Sequence, residues 1–130
     1  MIEVFFDGGK KVNALADGFE IKTDQAVRSG GEGSAPEPFT LFLTSLATCA
    51  GIYVKSFCDQ RDIPTDEIRL TQELEYNQAL RMIGKFIIRI YVPADFPEKY
   101  DHALINSAAL CAVKRHMSDQ IQYEITVERR

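Results

Sequence analysis

An α+β fold is predicted, in which one long helix packs against antiparallel sheets. Three features of the 130-residue chain carry the prediction. Residues 1–25 contain three short alternating segments separated by turn signals. Residues 39–60 are apolar around nearly the whole circumference of a helix. Residues 68–92 return to a two-residue alternation in two segments. The length suits a single domain spanning 1–130, with a real core but small enough for a partner subunit to be useful.

In the first segment Ile2, Val4 and Phe6 alternate with Glu3, Phe5 and Asp7, and Asp7-Gly8-Gly9 marks a turn. Val12, Ala14 and Ala16 alternate more weakly before Asp17-Gly18, the strongest hairpin signal in the chain. Residues 19–22 continue as a third strand. Ser29-Gly30-Gly31-Glu32-Gly33-Ser34 reads as a flexible loop, closed by Pro36-Glu37-Pro38, which can also open a helix because proline is tolerated in a first turn.

The long helix is placed at residues 39–60. Phe39, Leu41, Phe42, Leu43, Leu46, Ala47, Ala50, Ile52, Tyr53, Val54 and Phe57 leave it no single polar face, so it must be covered on every side. One sheet covers one face, and a second copy of the chain is expected on the other. Ile68, Leu70, Leu74 and Tyr76 share one face of the next strand, and Phe86, Ile88, Ile90 and Val92 share one face of the strand after it. Residues 93–97 interrupt the pattern. Residues 100–110 read as a helix, residues 112–118 as a shorter one, and Ile121, Tyr123, Ile125 and Val127 as one face of a final strand.

Composition narrows the function classes. The net charge of −4 supplies no basic face for nucleic acid. Three cysteines, without a basic region and apolar run at the N-terminus, predict a reducing, cytoplasmic setting rather than a disulfide framework. Residues 38–54 are uncharged over 17 positions, short of the roughly 20 a spanning helix needs, so no membrane is expected. His102 and His116 are far apart with no Cys-x-x-Cys between them, so no metal site is expected. The glycine-rich loop lacks the Lys-Ser/Thr of a phosphate cradle.

The chemistry rests with two cysteines. Cys49 lies in Ser45-Leu46-Ala47-Thr48-Cys49-Ala50-Gly51 and Cys111 in Ala108-Ala109-Leu110-Cys111-Ala112-Val113, 62 positions later. If the two meet, one sulfur can accept oxidation and the other can resolve it. Cys58 follows Cys49 by nine positions, about half a turn around the helix, so it faces away and is expected to be structural. Cys49 sits about ten residues inside its helix, beyond useful reach of that helix's own dipole, and apolar burial would raise its pKa. A cation is therefore expected from elsewhere, with Lys10, Lys11 and Arg28 as candidates.

Nearly the whole chain resembles the OsmC/Ohr family of thiol-dependent peroxide reductases. The resemblance is carried by the Pro36-Glu37-Pro38-Phe39 entry, by Leu46-Ala47-Thr48-Cys49-Ala50-Gly51 and by Leu110-Cys111-Ala112-Val113, and it lies closer to the broad OsmC-like branch. It implies an intertwined homodimer, with two central helices between curved sheets and active sites at the subunit interface. It also implies that Cys49 attacks a peroxide, that Cys111 closes a disulfide with it, and that an external dithiol, lipoyl-type or another, restores both; no bound cofactor is implied. The chain departs from the family pattern in three places. Thr40 and Phe39 stand where an acid is common, leaving Glu37 as the nearest; Lys10 stands where an arginine follows the Gly-Gly pair; and Ala112 replaces a proline.

Lys10, Arg28 and Glu37 are thus the candidate groups for activating the thiolate. Phe39, Phe42, Leu46 and Tyr53 are the candidate lining for an organic hydroperoxide, with hydrogen peroxide as the other peroxide substrate. The alternative is a non-catalytic protein of the same fold that holds a small apolar ligand at the dimer interface.

Overall fold

The structure is a computed structural model and describes residues 1–117 together with 122, 124 and 129. It has two compact units, Met1–Thr44 and Ser45–Arg130. Apart from residues 122 and 124, the expected final strand at residues 121–127 lies outside the described residues.

In the first unit, β1 (Ile2–Phe6), β2 (Val12–Ala16) and β3 (Phe19–Ile21) form an antiparallel sheet in that order. Both tight turns follow from their residues. Gly8 and Gly9 take positive φ (77° and 56°) between β1 and β2, and Asp17 and Gly18 (49° and 83°) make the two-residue β2–β3 hairpin. The register pairs Ile2 with Ala16, Val4 with Ala14, Phe6 with Val12, and Ala16 with Phe19. Because alternate residues share a face, Ile2, Val4, Phe6, Val12, Phe19 and Ile21 line one side of this sheet, and each is between 36% and 83% exposed. On the other side Asn13 is buried, with its Nδ2 donating to Asp7 at 3.4 Å and its Oδ1 accepting from the Thr23 amide at 3.3 Å.

The glycine-rich loop corrects the expectation of a flexible segment. The fully buried Asp24 carboxylate ties it down. The Ser34 hydroxyl donates to Asp24 Oδ2 at 2.6 Å, and the amides of Ser34 and Glu32 donate to the same oxygen at 3.1 and 3.3 Å. The Gln25 amide donates to Oδ1 at 2.7 Å. These bonds hold the acid at a pKa of about 2, with the Ser34 hydroxyl the largest contributor. Gly31 is required by a close approach, since a Cβ there would sit 2.0 Å from the Gln25 carbonyl oxygen. The sequence shows Asp24 only as a polar residue before a loop.

Helix α1 (Pro38–Asp59) matches the expected helix to within a residue at each end and opens on Pro38. At 22 residues, α1 is the one helix among the described residues long and apolar enough to cross a membrane by length and composition. Its contacts belong to a protein core instead. Val54, Phe57 and Cys58 pack with Ile68, Phe96 and Leu104 in the second unit, and Lys55 and Asp59 form an ion pair one turn apart on its surface. Two of its apolar side chains, Phe39 and Ile52, each remain 57% exposed.

Past α1, β4 (Arg69–Asn77) and β5 (Met82–Tyr91) form an antiparallel hairpin with an irregularity between Glu75 and Tyr76. Glu73 and Arg89 pair across its solvent face at 2.6 Å. A 3-10 turn at Glu98–Tyr100 leads into α2 (Asp101–Ala108), and α3 (Ala112–Arg115) follows after three residues. The expected helix over 100–110 is a single, shorter helix, and the one over 112–118 is shorter as well.

Candidate functional site

Cys49 and Cys111 lie in the same unit and meet. Cys49 is half-buried on α1. Cys111, 3% exposed, sits in extended backbone at the residue that opens α3. Its Sγ donates to the Leu46 carbonyl at 3.9 Å. Leu46 precedes Cys49 by one turn on the same helix, so that bond anchors the 111–113 segment beside the Cys49 sulfur.

Local structure explains what Cys49 meets there. The first amides of a helix have no acceptor within it, and Cys111 supplies no side-chain cap to α3. The amides of Val113 and Ala112 and the thiol of Cys111 are the hydrogen-bonding groups that act on the Cys49 thiol. The Val113 amide first, then Cys111, and to a smaller extent the Ala112 amide and the positive charge of Arg115 draw the Cys49 thiol below its ordinary range; partial burial works in the opposite direction. The expectation that burial would raise this thiol is therefore corrected, because hydrogen bonds to the sulfur outweigh desolvation. Of the groups responsible, Cys111 stood out in the sequence, but the two backbone amides and Arg115 did not: Arg115 looks like a helix-end cation, and amides carry no sequence signal.

The remaining candidates fall in different places. Lys10, Arg28 and Glu37 belong to the Met1–Thr44 unit, where Lys11 is paired with Glu32 at 2.8 Å. Phe39 and Phe42 stack with ring centroids 5.6 Å apart in the same unit. Leu46 borders a cavity of about 710 Å³ that also meets Cys111 and is walled by Ala50, Phe86, Ile88, Ile90 and Ile105. Tyr53 lines a separate cleft of about 360 Å³ with Ser56, Arg61 and Ser107, two helical turns further along α1. Cys58 is fully buried in the core, and burial pushes its thiol up. His116 closes α3, its Nδ1 lying 2.6 Å from the Ala112 carbonyl oxygen. Among the described residues, no group of three His, Cys, Asp or Glu is arranged to hold a metal.

The described residues are an α+β arrangement in which free Cys111, at the start of a short helix, bonds to the long helix that carries free Cys49. Residues 31–126 match the model of the OsmC-like protein family, and the chain belongs to that family. Solved structures share the fold. A Psychrobacter arcticus 273-4 protein assigned to osmotic stress induction and the detoxification response superposes with a TM-score of 0.74 at 23% identity, covering 91% of this chain and 88% of its own. The organic hydroperoxide resistance protein OsmC of Legionella pneumophila superposes with a TM-score of 0.56 at 18% identity, covering 88% and 85%. The organic hydroperoxide resistance protein OhrB of Bacillus subtilis gives 0.53 at 20% identity, covering 92% of both chains. No curated protein sequence matches the chain.

Proposed function

We propose that this protein reduces organic hydroperoxides by a two-cysteine cycle. The observation that carries the proposal is the meeting of Cys49 with Cys111 under hydrogen bonds that favour the Cys49 thiolate. The names of the Legionella and Bacillus relatives support the substrate class. The Cys49 thiolate attacks the terminal peroxide oxygen; a sulfur–oxygen bond forms, the O–O bond breaks, and the alkoxide takes a proton from water to leave as the alcohol. Cys49 is then a sulfenic acid. Cys111 attacks its sulfur, the S–S bond forms, and hydroxide leaves with the Cys111 proton as water. An external dithiol reduces the disulfide and is itself oxidised. The apolar cavity bordering Cys111 and Leu46 supports an organic rather than an inorganic peroxide.

The assembly we propose is a homodimer, supported by the bare apolar face of the β1–β3 sheet and by the exposed Phe39 and Ile52 on α1. Lys10, Arg28 and Glu37 remain proposed contributors to thiolate activation, and the cytoplasm the proposed location.

One equivalent of an alkyl hydroperoxide added to reduced protein should lower the mass by two hydrogens, with peptide mapping placing the new bond between positions 49 and 111. Cys49→Ser should abolish peroxide consumption. Unchanged consumption by that variant refutes the proposal.

A further inference from the structure

The cleft at the far end of α1 has the composition of an anion site. Ser56, Gln60 and Arg61 reach it from α1 and the turn that follows, and Asn106 and Ser107 reach it from α2, around a volume of about 360 Å³. Each of these side chains can donate a hydrogen bond, and among the described residues no carboxylate lines the cleft. Arg61 is held ready. Its Nη1 donates to the Phe57 carbonyl at 3.0 Å, and its guanidinium carbon lies 3.7 Å from the centroid of the Phe57 ring. That bond leaves most of its donors unspent, and a planar fork suits two oxygens of one anion. Lys99 brings a second cation to the same neighbourhood. Its Nζ lies 5.1 Å from the Tyr100 ring centroid, and Arg61 lies 5.3 Å from that same centroid. Among the described residues no carboxylate pairs with either cation; Asp59, two positions before Arg61, is taken by Lys55.

The end of a helix ordinarily repels an anion, because its last carbonyls are left without donors. At the end of α1 those carbonyls are occupied. The Gln60 amide donates to Ser56 at 3.1 Å, and Arg61 Nη1 covers Phe57. The amides of Arg61 and Ile63 both donate to Cys58 at 3.0 Å, and the Asp62 amide donates to Asp59 at 3.3 Å. We propose that this cleft binds a small polar anion, a carboxylate or a phosphate, with Arg61 as its two-bond partner and with Ser56, Gln60, Asn106 and Ser107 as neutral donors around it. The volume falls at the lower end of the ~300–1,000 Å³ of small-molecule sites, which suits a metabolite-sized ligand. The inference is independent of the peroxide reading, which uses the apolar cavity beside Cys111.

The test is a titration of the full-length, nitrogen-15-labelled protein with inorganic phosphate and, separately, with acetate, at an ionic strength held constant by sodium chloride. The Arg61 Nε–H signal and the amide signals of Asn106 and Ser107 are followed by NMR. At least one of the two anions should move them saturably, with half-saturation below about 10 mM, and the anion that does so names the chemistry of the ligand. Arg61→Gln should weaken that binding about tenfold. Arg61→Lys, which keeps the charge and loses the fork, should weaken it less. Asn106→Ala removes a neutral donor without touching the contact between Arg61 and Phe57, and should weaken binding about threefold. It decides the matter if loss of the guanidinium disturbs the fold by circular dichroism. Signals that drift without saturating in both anions up to about 50 mM overturn the proposal, since bulk screening alone produces that response. Saturable binding left unchanged by both Arg61→Gln and Asn106→Ala overturns it equally, because the anion would then sit elsewhere.

Discussion

Replacing Phe57 by alanine tests whether the core lies where the α1 stripe places it. The ring is 5% exposed and packs with Val54, Cys58, Ile68, Phe96 and Leu104. It also meets Tyr100 edge-on at 5.7 Å and carries the Arg61 guanidinium 3.7 Å above its face. Truncation withdraws roughly 150 Å² of apolar surface, which at ~25 cal/mol per Å² is about 4 kcal/mol, within the ~3–5 kcal/mol usual for Phe to Ala in a packed interior. The lost edge contact and cation–π contact add about 1 kcal/mol together. The total approaches the whole stability of a small domain, about 5–15 kcal/mol. Urea unfolding followed by circular dichroism, at several protein concentrations so that any subunit term is separated, should show a loss of about 4–5 kcal/mol at an unchanged m-value. The neighbouring control is Ile52→Ala on the opposite, exposed side of α1, which should cost far less within one subunit. A Phe57→Ala loss below about 1 kcal/mol would refute the assignment of this stripe to the core.

Three further outcomes follow from the same geometry. Asp24 has a folded pKa lowered to about 2, so its contribution to stability is fully present above its unfolded value of ~3.9 and disappears as pH falls through that window; the stability gap between parent and Ser34→Ala should be full above that value and close as pH falls through it in acid unfolding. Gly31→Ala should open the loop, because its Cβ would lie 2.0 Å from the Gln25 carbonyl oxygen, and limited proteolysis should then cut within 29–34 where the parent resists. Arg115→Gln should raise the pH at which Cys49 alkylates only slightly, since the Val113 amide and Cys111 dominate. The effect should be about twofold in rate at pH 7 and should vanish in molar salt; a large, salt-insensitive effect would give Arg115 a role beyond its charge.

The backbone plan was legible because each element carries its own period. Ile2, Val4 and Phe6 alternate, Asp17-Gly18 can do little but turn, and the run from Phe39 to Phe57 has no polar face to make it a surface helix. The pairing of Cys49 with Cys111 was legible only through resemblance, since spacing along the chain says nothing about distance in space. What escaped was whatever depends on backbone groups. Asp24 organises its loop through the amides of Gln25, Glu32 and Ser34, and Cys49 is tuned first by the amide of Val113. Every residue but proline carries an amide, so its use at one place leaves no mark on composition. The resulting error was specific: a loop read as flexible from Gly30, Gly31 and Gly33 is tied by one carboxylate, and a thiol expected to be raised by its apolar neighbours is lowered by donors from a distant segment.

The complete enclosure of Cys58 gives the molecule a built-in pair of chemical clocks. Cys49 answers a thiol reagent from the folded state, whereas Cys58 can answer only after Val54, Phe96 and Leu104 part from around it. Labelling the two over time in one sample therefore times the chemistry of the site and the opening of the interior separately, with no probe added to the chain.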